Sequence, residues 1–139
     1  MPSEKRFSRT LLCLAAFAVF AVCGGGDSSL SYEDLVAAAH EHEIAALAFS
    51  QELSCTHNSQ CAVLLFSPTV AICTPYRYAP LSLTSSGASA AVSEAAIQRK
   101  FAEQALAMST QPVPTCAFGA TLEPVPACIS NKCTLAYSQ

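Results

Sequence analysis

Apolar and polar positions recur with a helical period over residues 30–53, LSYEDLVAAAHEHEIAALAFSQEL, where Leu35, Val36, Ala39, Ile44 and Leu47 share one broad face. Spacing of three and four predicts an amphipathic helix. Its start is marked twice. Ser31 is a good N-cap with Asp34 three positions on, a variant of the capping box, and Leu30 and Leu35 suit a hydrophobic staple. Glu33 and Asp34 also favour the positive end of the helix dipole. A second helix is predicted from Ala90 to about Ser109, on the propensity of its Ala, Glu, Gln, Arg and Lys residues. There Ile97, Phe101 and Met108 group together while Val92 and Leu106 point elsewhere, which implies contact on two sides.

Between the helices the period changes. Ala62 to Phe66 reads as a strand, Ser67-Pro68-Thr69 as a turn, and Val70 to Cys73 as a returning strand. Pro75, Pro80, Tyr76 and Tyr78 imply irregular or edge structure, and TSSGAS a loop. After the second helix, QPVPTC (111–116) and EPVPAC (123–128) echo each other, each proline pair fixing extended backbone directly before a cysteine. They read as rigid connectors that aim Cys116 and Cys128. AFGATL, between them, and Cys133 to Tyr137 read as further strands. The expected architecture is α+β: a small disulfide-braced domain, two helices packed on a short antiparallel sheet of three or four strands.

The first 22 residues stand apart from this pattern. Lys5, Arg6 and Arg9 precede an apolar run from Thr10 to Val22, the layout of an export signal. The run is shorter than the roughly 20 residues a spanning helix needs. FAVC followed by GGGDSS resembles the lipobox of bacterial lipoproteins. That resemblance implies a lipoprotein-type signal peptide over 1–22, lipidation of Cys23, a flexible tether over 23–30 and one domain over 31–139. Gly24 at the second mature position then favours the outer membrane, facing the periplasm. Ala16-Phe17-Ala18 offers the alternative of ordinary cleavage and a secreted protein. From Cys23 onward, four basic residues face nine acidic ones, a formal charge of −5. That balance argues against nucleic acid and against a polybasic membrane patch.

Removal of Cys13 with the signal and acylation of Cys23 would leave six cysteines: Cys55, Cys61, Cys73, Cys116, Cys128 and Cys133. An even number in a small exported chain reads as three disulfides. Pairing Cys55 with Cys61, or Cys128 with Cys133, would close small loops of little entropic benefit. Bridges from the 55–73 region to the 116–133 region constrain the unfolded chain far more, and at least two are expected. Gaps of five and four residues suit a zinc knuckle poorly, and no C-x-x-C supports redox catalysis.

Catalytic constellations are sparse. His40-Glu41-His42-Glu43 does not complete H-E-x-x-H, and His40 and His42 lie about 200° apart on a helix. His40 with Glu43 could supply two metal ligands, and a solvated helix face is the plainer reading. His57, in THNSQ, reads as a turn residue. No G-x-S-x-G and no phosphate-binding glycine loop is present in the chain. Tyr76, Arg77 and Tyr78 form the candidate contact surface, because tyrosine and arginine suit interfaces.

SCTHNSQC (54–61), an apolar hairpin, Cys73, a tyrosine-bearing segment, a helix and C-x₁₁-C-x₄-C (116–133) resemble, in that order, a loose group of small uncharacterised exported proteins of Gram-negative bacteria. Ser59-Gln60-Cys61 and the closing Lys132-Cys133-Thr134-Leu135 carry the likeness, while Thr74-Pro75 stands where many have glycines. The resemblance implies paired cysteines and envelope location, with no catalytic residue and no cofactor. The functional expectation is a non-enzymatic, envelope-anchored lipoprotein that binds another envelope protein. The alternative is a secreted binding or protease-inhibitor-like module presenting Arg77 on the Thr74–Ser82 loop, with its entropy of ordering reduced beforehand. A small metal-binding protein or hydrolase is a third reading.

Overall fold

The computed structural model describes residues 29–70, 76–110 and 123–137. Helix α1 (Tyr32–Phe49) begins where Ser31 stops the extended chain: Asp34 N–H donates to Ser31 Oγ at 3.1 Å, and Ser31 N–H donates to Asp34 Oδ2 at 3.1 Å. Ser31 Oγ–H also donates to Asp34 Oδ2 at 2.7 Å, and that bond first, with the one from Ser31 N–H second, holds the Asp34 carboxyl below its ordinary pKa. Ser50 ends the helix, its N–H donating to Ala46 and Leu47 carbonyls. Strands β1 (Cys61–Phe66) and β2 (Arg77–Ser82) pair antiparallel, with Leu64 opposite Ala79 and Phe66 opposite Arg77. Helix α2 (Ala88–Met108) follows, then β3 (Val125–Ile129) and β4 (Lys132–Ala136) in a second antiparallel pair.

The two helices run antiparallel: Phe49 abuts Gly87, His42 meets both Glu94 and Phe101, and Leu35 shares a groove with Met108. Alanine makes their seam. Ala39 and Ala46 on α1, and Ala91, Ala95, Ala102 and Ala105 on α2, are all buried. Small side chains let the backbones approach closely, and the sheet supplies the bulk, with Leu64, Phe66 and Leu81 filling the core above Ala46, Ala91 and Ala95. This departs from the face expected on size. Ile44 and Leu47 are exposed, at 54% and 38%, while Glu43 is buried in their stead. On α2 the Ile97–Phe101–Met108 group forms the rim and the alanine stripe the contact.

Gly87 is required where it stands. A Cβ there would lie 2.3 Å from the Phe49 carbonyl oxygen, so only glycine lets α2 start against the end of α1. Gln98, 1% exposed, reaches past the alanine stripe to the end of β1: Ser67 N–H donates to its Oε1 at 3.1 Å, and its Nε2 donates to the Ser67 carbonyl at 2.8 Å. The amide thus replaces the strand neighbour that Ser67 lacks.

Two sequence expectations change here. The partner of β1 is Arg77–Ser82; Val70 sits in a bend, and 71–73 lie outside the described residues. Pro80 tolerates a strand because it falls between hydrogen-bonded rungs, opposite Val63. EPVPAC runs into β3, with Pro126 opposite Leu135. QPVPTC and AFGATL lie outside the described residues. The architecture is α+β as expected, with two two-stranded ladders in place of one sheet.

Candidate binding surface at the disulfide end

Five residues past the end of α1, the chain enters SCTHNSQC, whose hydrogen bonds explain its composition. Gln60 Oε1 accepts from Thr56 N–H at 2.6 Å, Thr56 Oγ1 at 3.1 Å and His57 N–H at 3.3 Å, folding the segment around a single 3-10 turn. Asn58 Oδ1 then accepts the Cys128 N–H at 2.9 Å, docking the turn on β3. On the far edge of β4, Cys133 N–H donates to the Leu53 carbonyl at 2.8 Å and Cys55 N–H to the Asn131 carbonyl at 3.2 Å. The β3–β4 hairpin is therefore gripped along both edges by residues 53–58. Its Ser130–Asn131 turn has φ of 52° and 59°, the left-handed pair that a two-residue hairpin demands.

Covalent bonds repeat that grip. Cys55 pairs with Cys128 and Cys61 with Cys133, at Cα separations of 5.9 and 5.4 Å and across 73 and 72 residues of chain. The expectation of two long-range bridges between the two cysteine regions is met. Cys73 and Cys116 lie outside the described residues, as do Cys13 and Cys23. Cys55, Cys61 and Cys133 are buried with Leu53 and Cys128 packed against them, a second small core built from sulfur. The Sγ atoms of Cys55, Cys61 and Cys128 all lie within 4.8 Å of one another.

Because side chains alternate along a strand, turning Cys128 and Cys133 inward turns Val125, Ala127, Ile129, Lys132, Thr134 and Ala136 outward. Val125 and Ile129 are each 55% exposed, and Tyr137 follows at the end of β4. Val125, Ile129 and Lys132 are thus exposed on a hairpin braced from behind, with Ala127, Thr134 and Ala136 half-buried on the same face. Sequence reasoning missed this face, since it read Val125 and Pro126 only as a connector. The signal available was Val125-x-Ala127-x-Ile129 alternation ahead of Ser130-Asn131.

The other singled-out residues fall elsewhere. Arg77 opens β2, and its guanidinium pairs with the buried Glu43 carboxylate on α1. The segment expected as a presenting loop is thus largely strand, with Leu81 wholly buried, while Thr74 and Pro75 lie outside the described residues. Tyr76 is exposed and Tyr78 half-buried. Glu43 turns to Arg77 and His40 to solvent, so that pair converges on no metal position. His42 donates or accepts at Nδ1 with Glu94 Oε2, 2.5 Å away, and stacks on Phe101 with ring centroids 5.5 Å apart. This contact ties the helices together across their rim. His57 is exposed in its turn, as expected.

At the opposite end of the helix pair, Leu30, Leu35, Gln104, Ala107 and Met108 line an open groove of about 420 Å³. No helix among the described residues is long and apolar enough to cross a membrane. No family model, curated protein or solved structure matches the chain.

Proposed function

We propose that the protein is a non-enzymatic envelope lipoprotein, anchored through acylated Cys23, whose disulfide-braced domain binds another envelope protein through the outer face of the β3–β4 hairpin. The observation that carries this reading is the placement of that face. Helix α1, about 27 Å long at 1.5 Å per residue, separates Leu30, where the tether joins, from the 53–61 segment that grips the hairpin. An anchored chain would hold one end at the lipid surface and present the other outward. Rigidity favours binding, because the hairpin has little entropy left to lose when a partner covers Val125 and Ile129. Several acyl chains on one residue give durable anchoring, at about 0.8 kcal/mol per buried CH₂. The bridges fit an oxidising compartment.

Two measurements test the reading separately. Intact mass of the membrane-extracted chain should show a diacylglyceryl or triacyl addition on Cys23; soluble chain cut after Ala18 would remove the anchor. Photoreactive residues at Val125, Ile129 or Lys132, activated in the native envelope, should capture one discrete protein that the same probe at exposed His40 does not. Equal capture at both places would remove the hairpin as the binding face. Stoichiometric inhibition of a trypsin-like protease, lost in Arg77→Ala, would favour the inhibitor-like alternative.

A further inference from the structure

The four sulfurs at the base of the hairpin are close enough to be paired in a second way. Cys128 and Cys133 stand directly opposite in the β3–β4 register, and Cys133 N–H points away to Leu53, so they form a non-hydrogen-bonded pair. Cα atoms in such a pair are about 4.5 Å apart, within the range a disulfide spans. Cys55 and Cys61 have Sγ atoms within 4.8 Å of each other. The same four atoms could therefore close two local bridges, Cys55–Cys61 and Cys128–Cys133, in place of the two long-range ones.

Burial supplies the order of events. Cys55, Cys61 and Cys133 are 5%, 6% and 1% exposed, whereas Cys128 is half-buried and offers the way in. We propose that the double bridge is a thiol–disulfide exchange site, entered by a small external thiolate at Cys128, through which the hairpin is covalently released from the 55–61 turn without net oxidation or reduction. The external thiolate attacks Cys128 Sγ; the Cys55–Cys128 bond breaks, and its electron pair leaves on Cys55 Sγ. This buried thiolate has the second bridge beside it and attacks Cys61 Sγ, forming Cys55–Cys61 and expelling the Cys133 thiolate. Cys133 attacks Cys128 in the mixed disulfide across the hairpin, forming Cys128–Cys133 and returning the external thiolate unchanged. Two disulfides enter and two leave. Exchange of this kind depends on a thiolate in reach and on access to the first sulfur, and the cluster provides both. In the rearranged form, Asn58, Leu53 and Cys55 would hold the hairpin by hydrogen bonds alone, so the face proposed to bind would lose its covalent backing.

The test uses the full oxidised chain with substoichiometric reduced glutathione at mildly alkaline pH, quenched in acid at intervals, alkylated and mapped without reduction. Peptides joined through Cys55–Cys61 and Cys128–Cys133 should grow while total free thiol stays at the amount added, and the first glutathione adduct should sit on Cys128. A Cys133→Ala variant provides the second arm. Its liberated Cys61 should displace part of the Cys55–Cys128 bridge with no added thiol, giving Cys55–Cys61 or Cys61–Cys128 peptides while circular dichroism keeps the helical signal. The original pairing unchanged in both arms would overturn the proposal. So would a first adduct on any other sulfur, or exchange that appears only in denaturant sufficient to melt the helices.

Discussion

Removal of either bridge alone should cost somewhat less than half of what removal of both costs. Alone, a link across 73 residues lowers the unfolded chain's entropy by an amount worth about 4.4 kcal/mol at 25 °C. Once Cys55–Cys128 is closed, Cys61–Cys133 closes only the ring that runs from 55 to 61 and back from 133 to 128, about 13 residues, worth about 3 kcal/mol. The argument is symmetric. The pair variant Cys61→Ala/Cys133→Ala and the pair variant Cys55→Ala/Cys128→Ala should each lose about 3 kcal/mol, plus about 1 kcal/mol for buried sulfur removed. The fourfold variant should lose about 9 kcal/mol, comparable with the whole stability of a small domain, and be unfolded at 25 °C. Equilibrium unfolding in urea followed at 222 nm reads all three. A bridge between Cys73 and Cys116 would leave the 13-residue ring, and so the single-pair figure, unchanged. The reasoning fails if either pair variant unfolds outright, or if the fourfold variant loses no more than one pair variant does.

Gly87→Ala should lower stability by about 2–4 kcal/mol, read as a lower melting temperature, because the new Cβ would sit 2.3 Å from the Phe49 carbonyl and α2 must shift away from α1. Gln98→Leu keeps the volume but leaves Ser67 N–H and C=O buried without partners, at a cost of about 2–4 kcal/mol in urea titration; a loss under 0.5 kcal/mol would mean water or another group satisfies them. The Asp34 carboxyl, held below its ordinary value by Ser31, contributes stability that is present above the unfolded pKa near 3.8 and lost as pH falls through the lower folded value. Helical signal should therefore decline in acid, and Asp34→Asn should flatten that part of the profile; an unchanged acid limb in the variant would assign the loss to other carboxylates.

Local chemistry was readable in the sequence, and the choice of partners was not. Ser31 with Asp34 marks the start of α1 because capping depends on atoms three residues apart. Cysteine spacing limits pairings by entropy, which needs only positions along the chain, and the long-range bridges obey it. Helix faces misled because apolar residues were weighed by size. Two helices that touch through alanines put Ile44, Leu47 and Val92 outside, and nothing within either segment says that the neighbour will come so close. The second strand was displaced for a related reason: Pro80 argues against a strand until its place between rungs is known, and that place depends on register with β1.

The same distinction bears on SCTHNSQC. Thr56, Asn58 and Gln60 looked like generic turn polarity; Thr56 and Gln60 bond to each other to shape the turn, and Asn58 has an acceptor task that only the folded hairpin supplies. The motif is built twice over to hold β3 and β4, once by hydrogen bonds along both edges and once by sulfur. A hairpin needing only stability could have been covered by apolar packing, as β1 and β2 are by α2. Here the hydrogen-bonded edges and buried cystines leave the opposite face bare, with Val125 and Ile129 in solvent. Leaving such side chains in water forgoes burial free energy that binding of a partner would supply. Double bracing from one side is the arrangement that lets a small domain keep the other side open and still hold its shape.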